Sequence, residues 1–209
     1  MFKEMKQLIE NVKQYAMGYE SQKRYKHSVR VAKMARKIAK KYSIDADKAY
    51  LAGISHDLCK EMSSEAIKNF AKADGLPITA IEEKKPSLLH GRAAAIVVQK
   101  FFHIEDFDII EAIRYHTFGK ANMSTLAKIV YISDKIEPKR PQVNKAYYKK
   151  LNAMDLDEMA LTIVQESIVY LQNKHKNVSD STLEFLESLK KDTGTDSDKG
   201  KLDEQRQIS

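Results

Sequence analysis

Apolar side chains recur every three or four residues through most of this chain, and the runs break at capping residues, glycines and prolines. Met5, Leu8, Ile9, Val12 and Ala16 form a first helical stripe that ends around Gly18. A second helix begins near Ser21 and carries Val31, Ala35, Ile38 and Tyr42; one turn before Val31, His27 falls on the same inward face. Asp45 is a good N-cap, with Ile44 placed to staple onto Ala49, and the third stripe runs through Ala52 and Gly53 to His56. Ser63 or Ser64 caps a short amphipathic helix bearing Ile67, Phe70 and Ala71, which Gly75 and Pro77 stop. The stretch containing Glu82, Glu83, Lys84 and Lys85 reads as a looser polar segment before Pro86.

The next run, Leu88 to Phe102, places His90, Ala94, Val97, Val98 and Phe101 on one stripe. Asp106 caps a helix whose Ile109, Ala112 and Ile113 lead to His116, so this stripe also ends in an imidazole. Ser124 caps a run from Thr125 to Ile136 with inner face Ala127, Val130 and Asp134, terminated by Pro138 and Pro141. Asp155 caps a long amphipathic helix through Met159, Ile163, Val164 and Leu171, and Leu183, Leu186 and Leu189 suggest one more. From Asp192 onward apolar residues almost vanish, a composition that cannot offset the entropy of ordering, so 192–209 is expected to be a disordered polar tail. No stretch alternates with period two, glycine is scarce and no repeat is present; the chain is expected to be all-α, with 1–191 forming a single domain.

The length of 209 residues is enough for one large core without a second domain. A single cysteine, Cys59, excludes an intramolecular disulfide framework and fits a reducing cytoplasm; no secretion signal or membrane span is visible. Lys and Arg number 36 against 29 Asp and Glu, a net charge of +7 that favours phosphate-rich partners without choosing between nucleotide and nucleic acid.

Chemistry concentrates at the ends of the apolar stripes. His27, His56, Asp57, His90, His116 and Asp134 come from five expected helices. One histidine on an apolar stripe is more often a hydrogen-bonded core residue than a ligand. Four of them with two carboxylates in one core would each need a separate partner. Mixed imidazole and carboxylate donors suit Fe, Mn, Co or Zn better than Mg alone, and six donors with one bridging carboxylate can hold two metals. Basic residues stand nearby in sequence: Lys60 after the His56-Asp57 pair, Arg92 after His90, and Lys135, Lys139 and Arg140 around Asp134. Lys60, Arg92, Lys135 and Arg140 are therefore candidate polyphosphate contacts. His103 and His175 have ordinary surface or helix-dipole explanations, and Cys59 that of a small buried hydrophobe.

The ordered set His27, His56-Asp57 and Asp134 resembles the H…HD…D signature of HD-domain phosphohydrolases, and His90 and His116 resemble the extra ligands of dinuclear members. More narrowly, His56-Asp57-Leu58-Cys59-Lys60, Leu89-His90-Gly91, His116-Thr117-Phe118-Gly119 and Ser133-Asp134-Lys135-Ile136-Glu137-Pro138-Lys139-Arg140 resemble the YqeK family of symmetrical bis(5'-nucleosyl)-tetraphosphatases, over roughly residues 10–190. The resemblance implies an HD helical bundle around a di-iron centre, with the six residues as ligands and Asp57 bridging. It further implies cleavage of diadenosine tetraphosphate into two ADP; from the chemistry of two cations sharing a water, a metal-bound hydroxide is the expected attacking group, with Asp57 and Lys60 as the expected catalytic residues. The chain departs from the family at Phe118, where a small hydroxyl residue is expected beside Thr117.

Two other function classes compete. One is a different HD phosphohydrolase, a nucleoside monophosphatase or a cyclic or alarmone nucleotide phosphodiesterase. The other is a non-catalytic basic module with a structural metal that binds RNA; a set of six donors argues against it, since structural sites close with four, and the aromatic residues supply no stacking motif for single strands. The expected partner is thus a dinucleoside polyphosphate, with neither membrane nor nucleic acid; a homodimer is left open.

Overall fold

In the computed structural model, which describes residues 2–195, the apolar stripes become a layered assembly of helices with no strand among the described residues. α1 spans Phe2–Tyr19, α2 Gln22–Lys41, α3 Ala46–Ser55, α4 Ser64–Lys72, α5 Ala80–Lys84, α6 His90–Phe102, α7 Phe107–Tyr115, α8 Thr125–Ile136, α9 Lys145–Asn152, α10 Leu156–Asn173 and α11 Asp180–Asp192, with a 3-10 turn at Pro86–Leu89. Side-chain caps appear where composition put them. Ser21, Asp45, Ser63, Asp106, Ser124 and Asp155 each accept a backbone N–H of the first turn, satisfying donors that the helix itself leaves unpaired.

α8 is the central rod. Leu126 through Asp134 and Ile136 are all buried, and the helix packs against α2, α3, α7 and α10. Such all-round burial demands a nearly uniform apolar surface, and Lys128 is tolerated because its ammonium reaches Asp157 at 2.7 Å. α2 lies along α3, α6 along α7, and α7 along α8, so five helices converge where their inward faces or ends carry polar groups. α1 covers α3, α4 covers α6, and α10 with α11 covers the far side of α8. No helix among the described residues is long and apolar enough to cross a membrane.

Three elements differ from expectation. The polar stretch around Glu82 contains α5, held by a capping box in which Glu82 accepts the Thr79 N–H and hydroxyl, both at 2.8 Å. α9 lies between the prolines and Asp155, where no helix is expected. Its apolar signal is one fully buried leucine, Leu151, flanked by half-buried Tyr147 and Tyr148, too short a stripe to stand out. The run expected from Leu88 begins as a 3-10 turn, and regular helix starts at His90. At the C-terminal side, α11 reaches Asp192, whose carboxylate faces Lys128 at 3.4 Å; the rest of the expected tail from residue 196 lies outside the described residues.

Candidate metal centre

Each imidazole of the cluster is fixed by a bond from Nδ1. Three sit at helix ends and use one local device: Nδ1 donates to the carbonyl three residues earlier, His56 to Gly53, His90 to Ser87 and His116 to Ile113, each at 2.7 Å. His27, inside α2, donates instead to Glu137 Oε1 at 3.2 Å. With the proton committed to Nδ1, the lone pair of every Nε2 is free to point inward.

The atoms those lone pairs meet are also acceptors. His27 Nε2 lies 3.2 Å from Asp134 Oδ1, and His56 Nε2 lies 3.5 Å from Asp57 Oδ2 and 3.9 Å from Asp134 Oδ1. On the other side His90 Nε2 is 3.1 Å and His116 Nε2 3.6 Å from Asp57 Oδ1, and the two nitrogens are 3.0 Å from each other. Asp57 therefore turns one oxygen to His27 and His56 and the other to His90 and His116. Nε2 of His27 and of His56 are buried with no hydrogen-bond partner. Lone pairs held against carboxylates and against one another in a closed pocket repel unless a cation lies between them, so the donor set fits metal ions. His27, His56 and Asp57 form one group able to hold an ion, with Asp134 beside it, and Asp57, His90 and His116 form a second.

The electrostatics favour the metal-ready forms. Burial pushes His56 down to about 3 and His90 down to about 4, so both are neutral donors at neutral pH. Burial alone would raise Asp134, but the Lys135 ammonium and the Arg140 guanidinium beside it hold its carboxyl well below the carboxylate range.

Of the four cations expected at phosphate, three reach the cluster. The Lys60 ammonium lies 3.2 Å from His90 Nε2, its pKa lowered by burial. Lys135 donates to Asp134 Oδ2 at 2.8 Å, and Arg140 grips the same residue through its carboxylate and, from Nε at 2.7 Å, its backbone carbonyl. Arg92 does not take part. Its guanidinium is chelated by Asp74 at 2.8 and 2.9 Å and donates to the carbonyls of Leu76 and Pro77, with Glu82 beyond at 3.6 Å, so its donors are consumed in pinning the chain between α4 and α5 to α6. Two residues along a helix point to different faces, which is why Arg92 turns away from His90.

Three contributors show no such role in the sequence, although Glu137 lies within the motif that ends at Arg140. Arg24 donates to Asp57 Oδ2 at 2.6 Å, Glu137 orients His27, and Arg30 holds Glu137 through bonds of 2.6 and 3.1 Å. Arg24 and Arg30 stand three residues either side of His27, the spacing that places side chains on neighbouring parts of one helix face. Thr117 also touches the cluster, its hydroxyl 3.2 Å from His116 Nε2. Cys59 is fully buried with its thiol pushed up to about 12 by burial, an inert core group, and exposed His103 and His175 lie outside the cluster.

Comparison with known proteins agrees with this geometry. The family model described as HD domain matches residues 24–139, a span that contains all six donors. The symmetrical bis(5'-nucleosyl)-tetraphosphatase of Bacillus subtilis is 33% identical, covering 76% of this chain and 85% of its own. The enzyme of the same name from Staphylococcus aureus is 32% identical, over 85% of this chain and 92% of its own. A crystal structure of a predicted HD superfamily hydrolase involved in NAD metabolism from Clostridium acetobutylicum superposes with a TM-score of 0.80 at 33% identity, covering 86% of this chain and 95% of that one. With fold, donor set and sequence in agreement, the chain belongs to the HD-domain hydrolases, in the YqeK-type family of symmetrical bis(5'-nucleosyl)-tetraphosphatases.

Proposed function

We propose that this chain hydrolyses diadenosine tetraphosphate symmetrically, giving two ADP, with His27, His56, Asp57, His90, His116 and Asp134 holding two transition metals, iron first and Mn, Co or Zn as substitutes. The observation that carries the reading is the division of Asp57, one oxygen toward each histidine pair. A metal pair at such a site supplies an activated water and neutralises charge on the phosphorus under attack.

The protein's own residues supply the rest. The first group has four protein donors, and the second has three, leaving more of its coordination to solvent and phosphate oxygens. Lys60, Lys135 and Arg140, joined by Arg24, are cations within reach of one polyphosphate chain, and they fix which phosphorus stands in line. The Nδ1 bonds keep the imidazoles from rotating as charge builds, and Glu137 with Arg30 does this for His27. The free, buried Cys59 suits action in a reducing cytoplasm.

Regiochemistry tests the proposal. Metal-replete protein incubated with diadenosine tetraphosphate in oxygen-18 water should yield ADP as the only nucleotide product, with one solvent oxygen per pair. AMP plus ATP, or much faster release of phosphate from nucleoside monophosphates, would reject it in favour of another HD chemistry.

A further inference from the structure

A groove of about 440 Å³ opens between α1, α2 and α3, apart from the six donors, and is lined by Lys13, Tyr25, Lys26, Val29, Arg30, Lys33 and Tyr50. Its floor is apolar and aromatic, and its charge is one-sided. Lys26, Arg30 and Lys33 follow at helical spacing along one stripe of α2, with Lys13 facing them from α1. The anions near it are spoken for: Glu10 pairs with Lys13 at the rim at 2.7 Å, Asp47 pairs with Arg36 behind Tyr50 at 2.6 Å, and Glu137 takes Arg30. Lys26 and Lys33 are exposed and make no ion pair among the described residues. The volume lies within the roughly 300–1,000 Å³ of small-molecule sites.

We propose that this groove is a second anion site, which takes the di- or triphosphate chain of a small molecule, a nucleotide or inorganic polyphosphate, and communicates with the metal centre through Arg30. The same guanidinium that lines the groove chelates Glu137 at 2.6 and 3.1 Å, and Glu137 in turn accepts Nδ1 of His27 at 3.2 Å. A phosphate chain on Lys26 and Lys33 competes for Arg30. Drawing the guanidinium toward the groove loosens Glu137 and with it the aim of His27, so occupancy lowers turnover without touching the catalytic pocket. ADP, the product under the proposed function, is then a feedback ligand.

Isothermal titration of metal-loaded protein with ADP, and separately with inorganic tripolyphosphate, reads the groove directly. The parent should bind two ADP per chain, one at each site, and Lys26→Glu/Lys33→Glu should bind one, with basal turnover within about twofold of the parent. ADP should lower kcat in the parent at saturating substrate and lose that effect in the double variant. Tripolyphosphate as tight as ADP assigns the groove to the phosphate chain alone, and tighter ADP assigns it to nucleotide; both support the site. One ADP per chain in the parent that the double variant retains, or unchanged binding of both probes in the double variant, overturns it. The milder Lys33→Gln variant, expected to weaken groove binding at least threefold, replaces the double variant if that fails to fold by circular dichroism. Because binding is read without substrate, loss of tripolyphosphate binding in protein that leaves diadenosine tetraphosphate uncut would reject the proposed activity and keep the groove, whereas symmetrical cleavage with unaltered binding would do the reverse.

Discussion

His56 and His103 are the same residue type in opposite circumstances. His56 is fully buried with Nε2 facing carboxylates, whereas His103 is exposed in a left-handed conformation, φ 52°, where it merely ends α6; exposed His175, φ 51°, plays the corresponding part after α10. Ala at His56 or Asp57 should therefore abolish turnover and strip metal, while His103→Ala and His175→Ala should leave both nearly unchanged, as measured by elemental analysis and product assay. Glu137→Gln tests positioning: metal affinity should fall by about 10–100-fold with the fold intact, since the orienting carboxylate of His27 is lost. Glu20 gives a pH prediction. Burial pushes its carboxyl up to about 8, and the Ser28 hydroxyl, 3.1 and 3.3 Å from its two oxygens, offsets only part of this. The unfolded glutamate loses its proton near 4.5 and the folded one near 8, so the stability tied to this group is complete below about pH 4.5 and is lost as pH rises toward 8. Glu20→Gln keeps an acceptor for Ser28 and should raise stability over the parent at pH 8, by up to about 4 kcal/mol, while matching it at pH 4. Equal melting temperatures for the two proteins at pH 8 would contradict the assignment.

At the scale of elements, two glycines set the distances between ligand-bearing helices. A Cβ on Gly53 would stand 2.7 Å from Ala32 Cα and 3.1 Å from its N, so α2 and α3 approach backbone to backbone, bringing His27 beside His56. A Cβ on Gly91 would meet the carbonyl of Arg114 at 2.9 Å, that of Ile113 at 3.0 Å and His116 Cε1 at 3.1 Å, which is how α6 and α7 bring His90 and His116 together. Gly91→Ala must push α6 from α7, at a stability loss of about 1–3 kcal/mol. It should halve the metal content while sparing the ion at His27 and His56; retention of both metals would show that the helices move apart without spreading the imidazoles. The helices that escaped notice in the sequence are short, and each draws its order from few contacts. α5 rests on a capping box and on Glu82 near Arg92, and α9 on Leu151. A stripe of one or two apolar residues is indistinguishable from a loop until the surface that receives it is known.

Across the whole molecule, metal binding and folding should be linked, because the centre joins α2, α3, α6, α7 and α8 through groups that repel one another without a cation. Protein purified without chelator should contain close to two transition metals per chain, and chelation should lower its melting temperature by several degrees, restored by iron or manganese. At most one tightly held metal, with no second binding event on titration, would reject the dinuclear centre. The helical period of the apolar residues already determined the class of fold, the main helices and the inward placement of His27, His56, His90, His116 and Asp134, because burial of a stripe fixes which side chains face the core whatever the partner helix. Only the tertiary structure decided which polar groups meet. It joined Arg24 to Asp57 and Glu137 to His27, set one oxygen of Asp57 toward each histidine pair, and removed Arg92 to a clamp around Asp74. Charged side chains on long flexible stems carry no periodic signal of their own, and their partners are chosen by how helices distant in sequence are packed.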